Sequence, residues 1–137
     1  MRVLAIDHGT KRMGIAISDE LKLIAQPLEY IPAEPFNVFL ARLQELLLEK
    51  AVVLVLVGMP RNLNGTYGPA ALKVRDFVTA LQAAVTVPVR TWDERLTSAQ
   101  ANRLLIEGQV RRKDRKEKVD KMAAAILLQS YLDSLAH

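Results

Sequence analysis

Two apolar runs of strand length, Arg2–Asp7 and Met13–Ser18, are separated by little more than the turn residues His8-Gly9-Thr10-Lys11. A parallel crossover needs a dozen or more residues, so these runs are expected to pair as an antiparallel hairpin. Asp19-Glu20 marks a second turn, and Leu23–Ile31 reads as a third strand. Pro27 inside it cannot donate to a ladder, which puts that strand at a sheet edge. The chain is therefore expected to open as an antiparallel three-strand meander.

Beyond it the periodicity changes. Phe36, Phe39, Leu40, Leu43, Leu46 and Leu47 recur at helical spacing, with Arg42, Gln44, Glu45 and Glu49 opposite them. Val52–Val57 reads as a buried strand ended by Gly58-Met59-Pro60, and 62–69 as a loop. Ala70–Ala84 is expected to be helical, with Leu72, Val74, Phe77, Val78 and Leu81 inward. Val87–Trp92 reads as the last buried strand. Thr97 or Ser98 can cap a helix through about Glu107, closed by Gly108, and Glu117–Leu135 reads as a final helix. These elements predict an α/β fold: a mixed five-stranded sheet, part meander and part parallel, flanked by helices. Residues 1–137 show no repeat or linker and are read as a single domain.

The chain has no cysteine, which excludes disulfides and thiolate metal sites. Its first apolar run is broken by Asp7, too early for a signal peptide, and no run approaches the ~20 apolar residues of a membrane span. A cytoplasmic protein without a membrane partner is expected. The formal net charge is +4. Much of the excess lies in one stretch, where Arg103, Arg111, Arg112, Lys113, Arg115, Lys116, Lys118 and Lys121 crowd together among Glu107, Asp114, Glu117 and Asp120. The residues before the final helix read either as a solvated loop or as an arm that contacts phosphates through Arg111, Arg112 and Lys113.

Three acidic positions stand out. Asp7 ends the first buried strand at a glycine turn, where ligand sites of open α/β sheets lie; capping the turn is the alternative. Asp93-Glu94 ends the last strand in the same way, and adjacent acids there also suit a following helix dipole. On a helical wheel, Asp120 falls about 20° from Leu127 on one side and about 20° from Tyr131 on the other. An acid on such an apolar face needs a salt-bridge partner or a metal. Oxygen ligands of this kind select Mg²⁺ or Mn²⁺, and two such ions suit phosphodiester cleavage. His8 and His137 make no zinc set, and His8 reads as a solvent-facing turn residue.

Four motifs in order give these residues a context: Asp7-His8-Gly9-Thr10-Lys11-Arg12-Met13-Gly14, Val57-Gly58-Met59-Pro60 with Asn64-Gly65-Thr66, Asp93-Glu94-Arg95-Leu96-Thr97-Ser98, and Val119-Asp120-Lys121-Met122-Ala123-Ala124. Across essentially its whole length the chain closely resembles the bacterial YqgF/RuvX family, described as Holliday-junction resolvases or nucleases of the ribosomal-RNA precursor. The resemblance implies a ribonuclease H-like fold and an acidic triad of Asp7, Glu94 and Asp120 holding Mg²⁺ or Mn²⁺. Asp93 is the alternative to Glu94, because adjacent strand residues point to opposite faces. Lys11, Arg12 and Arg95 fall within the motifs as phosphate contacts or surface ion pairs. Arg61, with Asn62, Asn64, Gly65 and Thr66, would form a loop beside the site.

The function expected is a metal-dependent nuclease maturing the 5′ end of the small-subunit ribosomal RNA precursor, with a four-way DNA junction as the alternative substrate. The partner is structured RNA or branched DNA, and a homodimer is compatible with this reading. A phosphotransferase of the actin or sugar-kinase type also begins Asp-x-Gly-Thr, but it needs two such domains. A non-catalytic nucleic-acid-binding module would be favoured by loss of the acids, and all are present.

Overall fold

The computed structural model describes residues 1–60, 67–93 and 112–135, with residues 112–121 described as helical backbone alone. Arg61, Asn62, Asn64, Gly65, Thr66, Glu94, Arg95, Arg111 and the helix expected from Thr97 or Ser98 lie outside the described residues.

The central strands form where the chain is most continuously apolar. Strand β1 (Arg2–Asp7) buries Val3, Leu4, Ala5 and Ile6, both faces covered. It pairs antiparallel with β2 (Arg12–Ser18), which pairs antiparallel with β3 (Ala25–Pro32), giving the expected meander. On its other side β1 runs parallel to β4 (Val52–Met59), which runs parallel to β5 (Val89–Asp93). The strand order β3-β2-β1-β4-β5 puts Pro27 on an edge, as its missing N–H requires. The register shifts beside Pro27, between Ile15 and Ala16 of the neighbouring strand.

Helices α1 (Phe36–Glu49) and α2 (Pro69–Ala84) cover one face of the sheet, burying Phe39, Leu43 and Leu46, and Ala71, Val74, Phe77, Val78 and Leu81. They meet Leu4, Ile6, Met13, Ile15, Val55, Val57, Met59 and Val89. Arg42 of α1 fixes that helix to β3 through a two-pronged pair with Glu29, at 2.7 and 3.0 Å. The other face meets α3 (Arg112–Leu135), whose Ala124, Ala125, Leu127, Leu128 and Leu132 pack on Val3, Ala5, Ala16, Leu54 and Leu56. The small alanine side chains let the helix approach the sheet closely.

Several expectations are corrected. The third strand starts at Ala25, because Asp19 Oδ1 accepts the N–H groups of Leu23 (2.7 Å) and Ile24 (3.1 Å) and keeps them in the turn. Leu72 is exposed on α2, and Ala71 takes the inward position. Strand β5, expected to be buried, is the other sheet edge, with Arg90, Thr91 and Asp93 exposed. The basic segment is no loop from Arg112 onward: Arg112–Lys118 belongs to α3, making a 24-residue helix. Arg, Lys and Glu are strong helix formers, and the acid-first spacings Asp114/Lys118 and Glu117/Lys121 suit a helix without any apolar stripe. No described helix is long and apolar enough to cross a membrane.

Candidate active site

Strand alternation decides which acids share a surface. In β1, Leu4 and Ile6 join the core beneath α1 and α2, whereas Val3 and Ala5 join the core beneath α3. Asp7 continues the second series and faces the α3 side, half-buried, at the C-terminal end of the central strand. Its cross-strand neighbour is Gly14. A Cβ on Gly14 would lie 3.6 Å from the Cβ of Asp7, 3.8 Å from that of Ala124 and 3.5 Å from Cε1 of Tyr30. Helix α3 thus crosses directly over the Asp7–Gly14 pair. The backbone of Asp120 lies one turn before Ala124, on the same face of the helix by its 3.6-residue period.

Asp93 is turned the other way. It pairs in register with Met59, which is buried beneath α1 and α2. Trp92 is the β5 residue that faces α3: its ring meets Tyr131 edge-on at 5.2 Å, and its Nε1–H donates to Ser130 Oγ at 3.2 Å. Asp93 therefore lies on the sheet face opposite Asp7, two strands and roughly 10 Å away.

Glycine is needed at the turn after Asp7, because a Cβ on Gly9 would run into the carbonyl oxygen of Arg12. The tight turn brings Arg12 back to the same rim of the sheet, its guanidinium 4.1 Å above the ring of Tyr30. Lys11 is exposed there, and its carbonyl ties the turn to Ala33 at 3.0 Å. The expectation for His8 is corrected. It is half-buried against Phe77, ring centroids 5.0 Å apart, and burial together with the Lys73 charge holds its pKa below the ordinary imidazole value. Beside it, on the α2 side of the rim, opens a pocket of about 300 Å³ that also takes in Thr10 and Lys73. Sequence reasoning passed over Lys73, since one lysine on the outer side of a helix carries no signal.

Among the described residues no three His, Cys, Asp or Glu side chains gather closely enough to hold a metal. The donor chemistry at Asp7 nonetheless fits a hard cation: a carboxylate at a half-buried strand end, facing a residue without a side chain. Glu94 lies outside the described residues, and of Asp120 only the helical backbone is described.

Known proteins match this arrangement. The family model described as "RuvX: Holliday junction resolvase" matches residues 1–134. A protein of Symbiobacterium thermophilum named "Putative pre-16S rRNA nuclease" is 48% identical over 136 residues, covering 99% of this chain and 94% of its own length. One of the same name from Listeria monocytogenes is 46% identical, covering 98% and 99%. Among solved structures, T. thermophilus RuvC in complex with a Holliday junction substrate aligns with TM-score 0.51 at 22% identity, over 99% of this chain and 97% of that one. The fowlpox virus Holliday junction resolvase aligns with TM-score 0.56 at 17% identity, over 98% and 99%. These two likenesses show the fold, which is ribonuclease H-like. With residues 1–134 matched by the family model and relatives close to half identical over nearly the whole length, the chain belongs to the RuvX family.

Proposed function

We propose that the chain is a metal-dependent nuclease that matures the 5′ end of the 16S ribosomal RNA precursor, with Asp7, Glu94 and Asp120 as its metal ligands. The observation that carries this reading is Asp7 at the C-terminal end of β1, beneath the helix that bears Asp120 one turn before Ala124. The turn of Asp93 to the opposite face supports Glu94 as the middle acid in this reading. The names of the curated relatives support the RNA substrate, and the family description supports the four-way DNA junction as a second one.

Mg²⁺ or Mn²⁺ bound by these acids would polarise the phosphodiester and lower the pKa of an attacking water. The rest falls to the chain's own residues. The carboxylates orient the ions and repel any phosphate that arrives without them. Gly14, opposite Asp7, lets α3 pass close over the β1–β2 pair, which brings the helix that bears Asp120 near the carboxylate. Arg12, held over Tyr30 on the same rim, is placed to pair with a neighbouring phosphate, and Lys11 is exposed on the same turn. Arg61, Arg95, Arg111, Arg112 and Lys113 are the further basic residues of the sequence proposed to contact the substrate backbone.

The test incubates pure protein with precursor RNA and with four-way DNA, side by side, with Mn²⁺, with Mg²⁺ and with EDTA. Cleavage of the RNA with either ion and none in EDTA is the expected result. Junction cleavage alone transfers the reading to a resolvase, and undiminished cleavage in EDTA overturns the metal requirement.

A further inference from the structure

The pocket on the α2 side of the rim is separate from the acidic face. Asp7 turns toward α3, whereas His8, the next residue, lines the pocket, so the two surfaces meet across one peptide unit, about 3.8 Å between Cα atoms. The volume of about 300 Å³ lies at the small end of ligand sites. Its lining has two parts. Pro60, Pro69 and Val74 make an apolar wall, and Thr10, His8 and Lys73 supply polar groups. Lys73 has no carboxylate partner among the described residues.

That division restricts the ligand. A bare anion would meet Lys73 and Thr10 but leave the apolar wall wet. A purely apolar group would cover the wall while stripping water from Thr10 without replacing its hydrogen bonds. A nucleotide satisfies both parts, because its base offers a flat face to the prolines and Val74, and its phosphate offers oxygens to an ammonium and a hydroxyl. We propose that this pocket holds one nucleotide of the substrate strand, base against Pro60, Pro69 and Val74 and phosphate on Lys73, setting the adjoining phosphate at Asp7. The assignment rests on the nuclease reading for the identity of the strand. Recognition of the base through an apolar wall is tolerant of sequence, so the pocket positions the strand rather than reading it.

The full chain is titrated at fixed pH, in EDTA, with 5′-AMP, adenosine and inorganic phosphate, while the Val74 methyl and Thr10 amide resonances are followed. EDTA matters because metal-free carboxylates repel phosphate and keep the acidic face from competing. AMP is expected to shift both resonances saturably and to bind about tenfold more tightly than adenosine or phosphate, the effect of one good charged contact. Lys73→Gln, a change at an exposed position, should weaken AMP by a similar factor and leave adenosine unchanged. Absence of any shift, binding of AMP no tighter than phosphate, or indifference of AMP binding to Lys73→Gln overturns the proposal. The two readings fail separately. Cleavage without AMP binding removes the pocket alone, and AMP binding by a chain that cleaves nothing removes the nuclease alone.

Discussion

Asp7 and Gly14 face each other across β1 and β2, and the Cβ that Gly14 lacks would sit 3.6 Å from that of Asp7. The glycine lets α3 pass close above the carboxylate, with Ala124 and Tyr30 packed against the same position. At 3.5–3.8 Å from Tyr30, Asp7 and Ala124, an added methyl makes ordinary contact, so Gly14→Ala should fold with near-normal stability. Gly14→Val has no such room. Its extra methyls must displace α3 or the carboxylate, costing about 1–3 kcal/mol of overpacking and most of the cleavage. Gly9→Ala should destabilise more than Gly14→Ala, since its Cβ meets the backbone of Arg12 rather than side chains. Denaturant midpoints of the three variants check the order, and an intact, fully active Gly14→Val removes the role given to this glycine.

Asp7→Asn should abolish cleavage without harming the fold, because it removes one ligand charge and conserves shape. Purified mutant that cleaves at the wild-type rate in excess metal would overturn the assignment of Asp7. Circular dichroism and the denaturant midpoint establish that any lost activity is not lost structure.

The meander was legible because turn length and Pro27 are local signals. So was the position of Asp7 at the end of the central strand, which is apolar on both faces until the carboxylate interrupts it. What escaped depends on contacts distant in sequence. Whether Asp93 or Glu94 faces the acid site turns on the packing of Trp92 against Tyr131, which no alternation pattern supplies. His8 looked like an ordinary polar turn residue until Phe77, far along the chain, covered one edge of its ring. The basic segment was misread because periodicity detects helices by their apolar stripe, and Arg112–Lys118 has none.

That correction alters what the basic residues can do. On a helix, charges are held at a rise of 1.5 Å per residue rather than scattered along a mobile arm. Replacing Arg111, Arg112 and Lys113 with Ala should weaken nucleic-acid binding for many sequences alike. The slope of log affinity against log salt should flatten by up to about 3 units if all three touch phosphates. An unchanged slope would mean that these three residues do not touch the substrate.

Asp93 and Glu94 are neighbours in sequence, and the orientation of β5 predicts that they differ in function. Asp93 pairs with Met59 on the face beneath α1 and α2, away from Asp7. A carboxylate so placed cannot share an ion with Asp7 unless the strand end rotates, which the hold of Trp92 on Ser130 and Tyr131 opposes. Asp93→Asn should therefore keep most of the cleavage activity, whereas Glu94→Gln should lose it as completely as Asp7→Asn. Metal dependence separates ligation from mere damage. If Glu94 is a ligand, Glu94→Gln should need more Mn²⁺ to reach whatever rate remains, while Asp93→Asn should follow the wild-type metal titration. The opposite result, with Asp93→Asn inactive and Glu94→Gln near normal, would make Asp93 the middle ligand and require β5 to turn over at its end when metal binds.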